Sequence, residues 1–427
     1  MFHYKLARNH DPRVAGQALL AELSTWANAC VRRYMDQPPI EGLDQAVYAA
    51  GWLPLIYFEP NHPAADLLEQ IRDDVAENSI ENGAWHHGYW RMADISMGMR
   101  HFEVFLGSLA RLNSDMVTGG QILHAAEHIG NWCEDVPTWF DESRGCFHSH
   151  FFGTEGAEKD SCGFDTPEHF HCINLALIAF RLNQSRRYAE WAIRYGGRWA
   201  DAILANSMLP VGLDEKGAVL EPNLGPDARE NLYRAEAFLA ADAVQSLLKL
   251  WNVSGEDRFR QAAEKIIETL LPELIDPDAG GLAAAIRFYR RITKSDRFDA
   301  KVMEEFGYLL PYTIDFIDLD TAPIYDECPL GLGKSADLPH WREDNQTRQH
   351  NPVLIALAAE ISNDATLAAR ALDLGTAYLS LAQRAFPDGR EDSDSARTVS
   401  AIARGHARDN NAGVVTEVLV PLMARFK

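Results

Sequence analysis

Apolar side chains recur at helical spacing along most of this chain, and almost nowhere at the period of two that a half-buried strand shows. The spacing predicts helices over 10–35, 43–58, 63–80 and 117–134. It predicts further helices over 166–184, 187–205, 229–252, 256–275, 299–319, 350–362, 365–386 and 395–424. The punctuation agrees: Asp11-Pro12 opens the first helix, Pro38-Pro39 breaks the chain after it, and Pro63 opens the third. Over 135–164, 206–228 and 320–349 the helical period gives way to irregular sequence, with short stretches such as 146–152 and 208–213 suited to small hairpins. Long irregular segments inside compact domains are uncommon and are often functional.

Two kinds of helix occur. Residues 256–275 carry one charged face, as an outer helix would, whereas 232–250 are apolar almost all round and ask to be buried. No fixed repeat length marks a solenoid, and no linker composition divides the chain. These features predict an all-α fold, an (α/α)6-type toroid of helical hairpins with long loops at one end, formed as a single domain over 1–427. A two-domain helical bundle is the alternative.

The stretch from Asn82 to Glu103 concentrates the chemistry. On a helix beginning near Trp85, and either breaking around Gly98 or continuing to Leu112, His87, Arg91, Asp94 and His101 fall at i, i+4, i+7 and i+14. They would form one ionisable stripe on an otherwise apolar helix, facing a wet cavity, with Trp85, Tyr89 and Trp90 as a wall for a flat polar ligand. The plainer alternative is an interior helix whose histidines satisfy nearby backbone groups.

Other clusters lie further on. His148 and His150 would share one side of an extended strand. Thr166-Pro167 opens a buried helix whose first turn carries Glu168, His169 and His171. His148, His150 and Glu168 are candidate ligands for a divalent metal, zinc or calcium, although the spacing matches no zinc signature. Acid–base chemistry is the more general use of such histidines. The helix dipole would disfavour imidazolium at His169 while Asp165 and Glu168 favour it, leaving a base poised near neutral pH. In 229–239, Asn231, Tyr233, Arg234 and Glu236 open another apolar helix, where Arg234 could fork a carboxylate or merely pair with Glu230. A polar loop holds Trp341, Arg342, Arg348, His350 and Asn351 and suits a ligand rim. Arg404 and Arg408 share a face four residues apart and ask for an anion.

With 427 residues, 47% hydrophobic and 24% charged, the chain can build a large core. Its formal net charge of −22 argues against nucleic acid as a partner. The N-terminus shows no signal-peptide pattern and no apolar run would span a bilayer, so a cytoplasmic location without membrane contact is expected. Cys30, Cys133, Cys146, Cys162, Cys172 and Cys328 form no CxxC pair and read as reduced thiols.

The helix pairs and polar helix mouths resemble the (α/α)-toroid carbohydrate-active enzymes, a group that includes polysaccharide lyases, unsaturated glucuronyl hydrolases and acylglucosamine 2-epimerases. The stretch Asp392 to Arg397, DSDSAR, is loosely similar to the glucuronyl hydrolases. The resemblance implies an enzyme of carbohydrate metabolism with an acidic saccharide as substrate, no required cofactor, and a homodimer as a compatible assembly. For a lyase cleaving a uronic acid-containing glycan by β-elimination, the leading expectation, it implies His169 or His171 as base and Tyr233 as acid. Arg234, Asn231 or Asn351 would neutralise the uronate, and Trp85 and Trp90 would stack on the sugar. For a hydrolase it implies a carboxylate pair, Asp94 with Glu168, and Glu236 in reserve. For an epimerase it implies two bases drawn from His87, His101, His169 and His350. A non-enzymatic toroid that binds a partner protein remains a further alternative.

Overall fold

A computed structural model describes residues 2–5, 9–36, 53–112, 115–155, 164–214, 216–220, 228–274, 280–309, 316–319, 341–342, 352–385 and 418–426. The helices, in chain order, are α1 (Pro12–Asp36), α2 (Leu53–Phe58), α3 (Ala64–Glu81), α4 (Ile95–Arg100), α5 (Gly107–Leu112), α6 (Met116–Glu127), α7 (Phe170–Asn183) and α8 (Arg186–Ala205). After them come α9 (Ala228–Ala240), α10 (Ala243–Ser254), α11 (Asp257–Leu270), α12 (Gly280–Thr293), α13 (Asp299–Leu309), α14 (Pro352–Ser362), α15 (Ala365–Ala385) and α16 (Val420–Arg425). The class is all-α, as the spacing predicts. The chain divides into two compact units, one of 1–74, 272–287 and 295–427, the other of 75–271 and 288–294.

In the first unit α1 packs on α15 and α16, and α14 on α15. The contact face of α1 is the stripe Ala15, Leu19, Leu23, Trp26 and Ala27, all essentially inaccessible. Asn9 ties the start of α1 to α15 by donating its side-chain and backbone N–H groups to the buried Asp373 carboxylate at 2.8 and 3.1 Å. Phe2–Lys5, Phe316–Leu319 and Trp341–Arg342 form an antiparallel three-stranded sheet. The helix expected over 299–319 therefore ends at Leu309 and its last residues are strand.

The second unit holds both kinds of helix. On α11, Phe259, Ala262, Ala263, Ile266, Ile267 and Leu270 are buried at i, i+3, i+4, i+7, i+8 and i+11, the pattern of an amphipathic outer helix. On α7 every residue from Phe170 to Ala179 is buried. Helices α7 and α8 pack together, and α10 and α11 close around them.

Three departures matter for the site. The segment 85–94 is not helical: Trp85–His86 and Tyr89–Trp90 form a hairpin that pairs Trp85 with Trp90, and Ala93–Asp94 pairs with Phe151–Phe152. The reason is the His87-Gly88 turn, both residues at positive φ (50° and 75°), the geometry of a two-residue hairpin loop. The predicted helix 229–252 breaks in two, because Asp242 adopts a left-handed conformation at φ 54° between α9 and α10. Helix α12 was not expected, since Gly280-Gly281 at its start reads as a breaker. The stretches 146–152 and 208–213 do contribute strands, but Cys146–Phe147 pairs with Phe140–Asp141 and Leu213–Asp214 with Phe164–Asp165. Cys133, Cys146 and Cys172 form no disulfide among the described residues. Among the described residues no helix is long and apolar enough to cross a membrane.

The turn gives a direct stability test. A Cβ on Gly88 would sit 2.5 Å from His124 Cβ, on a backbone that L side chains rarely adopt. Gly88→Ala should lower the unfolding free energy by about 1–3 kcal/mol in urea titration. An unchanged midpoint would show that the turn is not built this way.

Candidate active site

The proposed stripe does not exist as a helix face. His87 is an exposed turn residue, and Arg91 is exposed and pairs with Glu155 at 3.3 Å. Asp94 is half-buried on a two-residue strand. His101 is fully buried, with neither ring nitrogen hydrogen-bonded. Trp85, Tyr89 and Trp90 are not a ligand wall but core: Trp85 packs on Trp90 at 5.2 Å and edge-on to Phe102, while Trp90 Nε1 donates to the Gly98 carbonyl. Burial among these rings drives the His101 pKa down to about 3, so it is a neutral core imidazole. It sits in a π-helical turn, His101–Leu106, between α4 and α5.

His169 also differs from the expectation of a wet helix mouth. It is fully buried, stacks on Phe147 at 4.8 Å, and its Nδ1 accepts the Thr166 backbone N–H at 3.0 Å, completing a capping box. Burial, followed by the nearby His150, pushes its pKa down to about 3. His169→Ala should therefore cost about 2–4 kcal/mol of stability, by loss of a buried ring and of the cap. Chemical denaturation measures this; a change below 1 kcal/mol (about the value of a cap alone) would contradict the packing.

The metal candidates do not converge. His148 and Glu168 are exposed, His150 lies 5.5 Å from the His169 ring, and among the described residues no three His, Cys, Asp or Glu side chains are placed to hold an ion. Arg234 is buried, and one of its guanidinium nitrogens donates to the Leu209 carbonyl at 2.7 Å. Asn231 and Tyr233 lie on α9, but their side chains are outside the description. Trp341 and Arg342 form a short strand, and their side chains lie outside the described residues. Arg348, His350, Asn351, Arg404 and Arg408 lie outside the described residues.

What the structure does assemble is a buried charged cluster on α7, α10 and the π-helical turn. His171 Nδ1 and Glu103 Oε2 are 2.7 Å apart, across 68 residues of sequence, and both side chains are under a tenth exposed. Asp242 is buried beside them at the break before α10. Lys249, half-buried, donates to Asn174 Oδ1 at 2.7 Å, and the Asn174 amide nitrogen is buried with no partner among the described residues.

The electrostatics follow from this packing. Burial pulls the His171 pKa down, but the Glu103 charge and hydrogen bond, with help from Asp242, outweigh it and hold the imidazole above its ordinary value. Burial, then the Glu103 charge, pushes the Asp242 carboxyl up to about 7, against opposing pulls from His171 and Lys249. Burial lowers the Lys249 pKa. The cluster thus sets an imidazole held toward its protonated form beside a carboxyl that titrates near 7, a proton donor and a proton acceptor together. Since Glu103 takes Nδ1, Nε2 is the nitrogen left to face a substrate.

Of these residues the sequence singled out only His171. Glu103, Asn174, Asp242 and Lys249 are isolated polar residues in apolar helices. The one sequence signal is that Asp242 and Lys249, seven apart, would share a face of an interior helix.

No family model matches the chain, and no curated protein matches its sequence. Solved structures similar to it include two sugar-processing enzymes. One is a cellobiose 2-epimerase from Bacillus thermoamylovorans B4167, at TM-score 0.45 and 10% identity, covering 64% of this chain and 77% of that one. The other is a D-mannose isomerase, at TM-score 0.43 and 10% identity, covering 69% and 87%.

Proposed function

We propose that the chain is an enzyme that moves a proton on a sugar without cleaving it, an isomerase or epimerase, with the Glu103–His171–Asp242 cluster as its centre. The observation that carries this is the pairing of a raised-pKa imidazole with a carboxyl titrating near 7. In the proposed step ionised Asp242 removes the proton from the carbon beside the sugar carbonyl. The C–H electrons move into an enediolate, and the carbonyl oxygen takes a proton or a strong hydrogen bond from His171 Nε2. Glu103 keeps the imidazole oriented and charged. Return of the proton to the neighbouring carbon, with the proton of the adjacent hydroxyl passing to the now neutral imidazole, gives the isomer; return to the first carbon from its other face, with the imidazole taking its proton back from the enediol oxygen, gives the epimer. Atoms balance without a cofactor.

The uronate lyase expected from the sequence fits less well. Its candidate base His169 is a buried ring that caps a helix and stacks on Phe147 rather than opening to a uronate. The hydrolase pair is weakened because Glu168 is an exposed side chain. Supplying the enzyme with reducing mono- and disaccharides on one hand, and with uronate-containing glycans on the other, separates the readings. Chromatography should show aldose–ketose or epimer interconversion. Appearance of an unsaturated, ultraviolet-absorbing product would revive the lyase, and release of shortened saccharides without it would indicate a hydrolase.

A further inference from the structure

The three segments that carry the acid–base residues also carry cations two to three turns further along. Arg111 follows Glu103 by eight residues, Arg181 follows His171 by ten, and Lys249 follows Asp242 by seven. Two turns advance a helix by roughly 10 Å. The acidic and imidazole ends meet, as the Glu103–His171 bond shows. The cationic ends meet as well: Arg111, Arg181 and Lys249 lie close enough for their charges to act on one another, with Arg291 beside Arg111. Arg100 adds a further charge close to His171 and Asp242. Cations thus outnumber carboxylates around this cluster, in a chain whose formal net charge is −22.

Helix dipoles explain part of this, because Arg111 and Arg181 stand in the last turns of α5 and α7. They do not explain Lys249, which is not in the last turn of α10. Nor do they explain the fully buried Asn174 amide nitrogen, a donor with no acceptor among the described residues. A buried amide donor left unsatisfied costs about 1–3 kcal/mol, a cost that an arriving acceptor would remove. Arg111, Arg181 and Arg291 are exposed side chains near this end. A cluster with spare positive charge and an unused donor is built to receive an anion.

We propose that Lys249 and Asn174, backed by Arg111 and Arg181, form an anion-binding subsite, so that the sugar turned over at His171 and Asp242 carries a phosphate or carboxylate at the end remote from its carbonyl. The inference takes from the preceding proposal only the location of the reacting carbon; the anion site stands on its own donors. Asn174, to which Lys249 is bonded, stands one turn beyond His171 on α7, roughly 5 Å along its axis.

The test uses the full chain and inorganic phosphate as probe, by isothermal titration and thermal shift. Phosphate should bind saturably and raise Tm. Lys249→Gln should weaken it by roughly 10-fold, the scale of one charge-assisted hydrogen bond. Arg181→Gln, at an exposed position where folding is not at stake, should weaken it several-fold. Turnover should then prefer a hexose 6-phosphate or a hexuronate over the neutral hexose by at least 10-fold in kcat/KM, and whichever of the two is preferred identifies the anion. Phosphate binding that is absent, or unchanged in both variants, overturns the subsite, as does equal use of the neutral sugar. Binding lost in the variants with no interconversion of any sugar would uphold the subsite and sink the isomerase instead.

Discussion

His171→Gln is expected to lower kcat by about 10²-fold or more, the usual scale for losing a positioned acid or base, with little change in fold. Glutamine keeps an amide that can still donate to Glu103 across the 2.7 Å contact, so the packing survives while the transferable proton is gone. Asp242→Asn should cause a comparable loss from the other side of the reaction, since an amide cannot accept the proton from carbon. The pH profile carries the same signature. In the wild type one group must be protonated and the other ionised, so kcat/KM should be bell-shaped around neutrality, with both limbs belonging to the coupled cluster rather than to single residues. Asp242→Asn should remove the acidic limb. Full activity in either variant would take the cluster out of the reaction.

The second large effect is on stability. Glu103→Gln removes the charge that holds a buried imidazole in its protonated form, and breaking one side of a buried pair typically costs about 3–5 kcal/mol. The sign of its pH dependence is fixed. The folded His171 pKa is raised in the wild type, so the stability it contributes is fully present below the unfolded value of about 6.5 and is lost as pH rises through the folded value. In the variant, burial, the first cause acting on His171, is left unopposed by Glu103 and lowers its pKa instead. The stability gap between wild type and variant should therefore be widest on the acid side of neutrality and narrow toward pH 9. Loss of the Glu103 charge also eases ionisation of Asp242, which acts in the same direction. Denaturant midpoints across that window measure it; a gap that is constant or grows with pH would contradict the pair.

Helix type and place were largely legible because burial is periodic. The stripe on α11 and the continuous burial of α7 are written in single residues, and both helices stand within a few residues of their expected ends. The same periodicity misled at 85–94, where His87, Arg91 and Asp94 fall at helical spacing by coincidence. The deciding residue was Gly88, whose left-handed φ of 75° makes a hairpin. Asp242 hid the break between α9 and α10 because an aspartate in the left-handed region carries no marker comparable to glycine.

The candidate site was less legible for a different reason. His171 stood out as one of a run of histidines, but a histidine's role depends on its partner. His169 and His171 are two residues apart, yet one caps a helix as a neutral ring and the other is held charged by Glu103. That difference comes from a contact 68 residues away, which no local pattern encodes. Glu103 itself lies at the end of the stretch that drew the eye, in the π-helical turn where an extra residue is accommodated. Lys249 and Asn174 likewise meet only in the folded chain.

The most direct measurement is solvent-hydrogen exchange into the sugar. Wild-type enzyme in deuterium oxide, given hexose, hexose 6-phosphate and hexuronate, should place deuterium on the carbon beside the carbonyl of the sugar it accepts, followed by proton NMR. His171→Gln and Asp242→Asn, folded by circular dichroism, should slow that incorporation by about 10²-fold or more. Incorporation at an undiminished rate in both variants, or turnover of a saccharide with no deuterium at that carbon, would contradict the assignment of the Glu103–His171–Asp242 cluster as the proton-transfer centre.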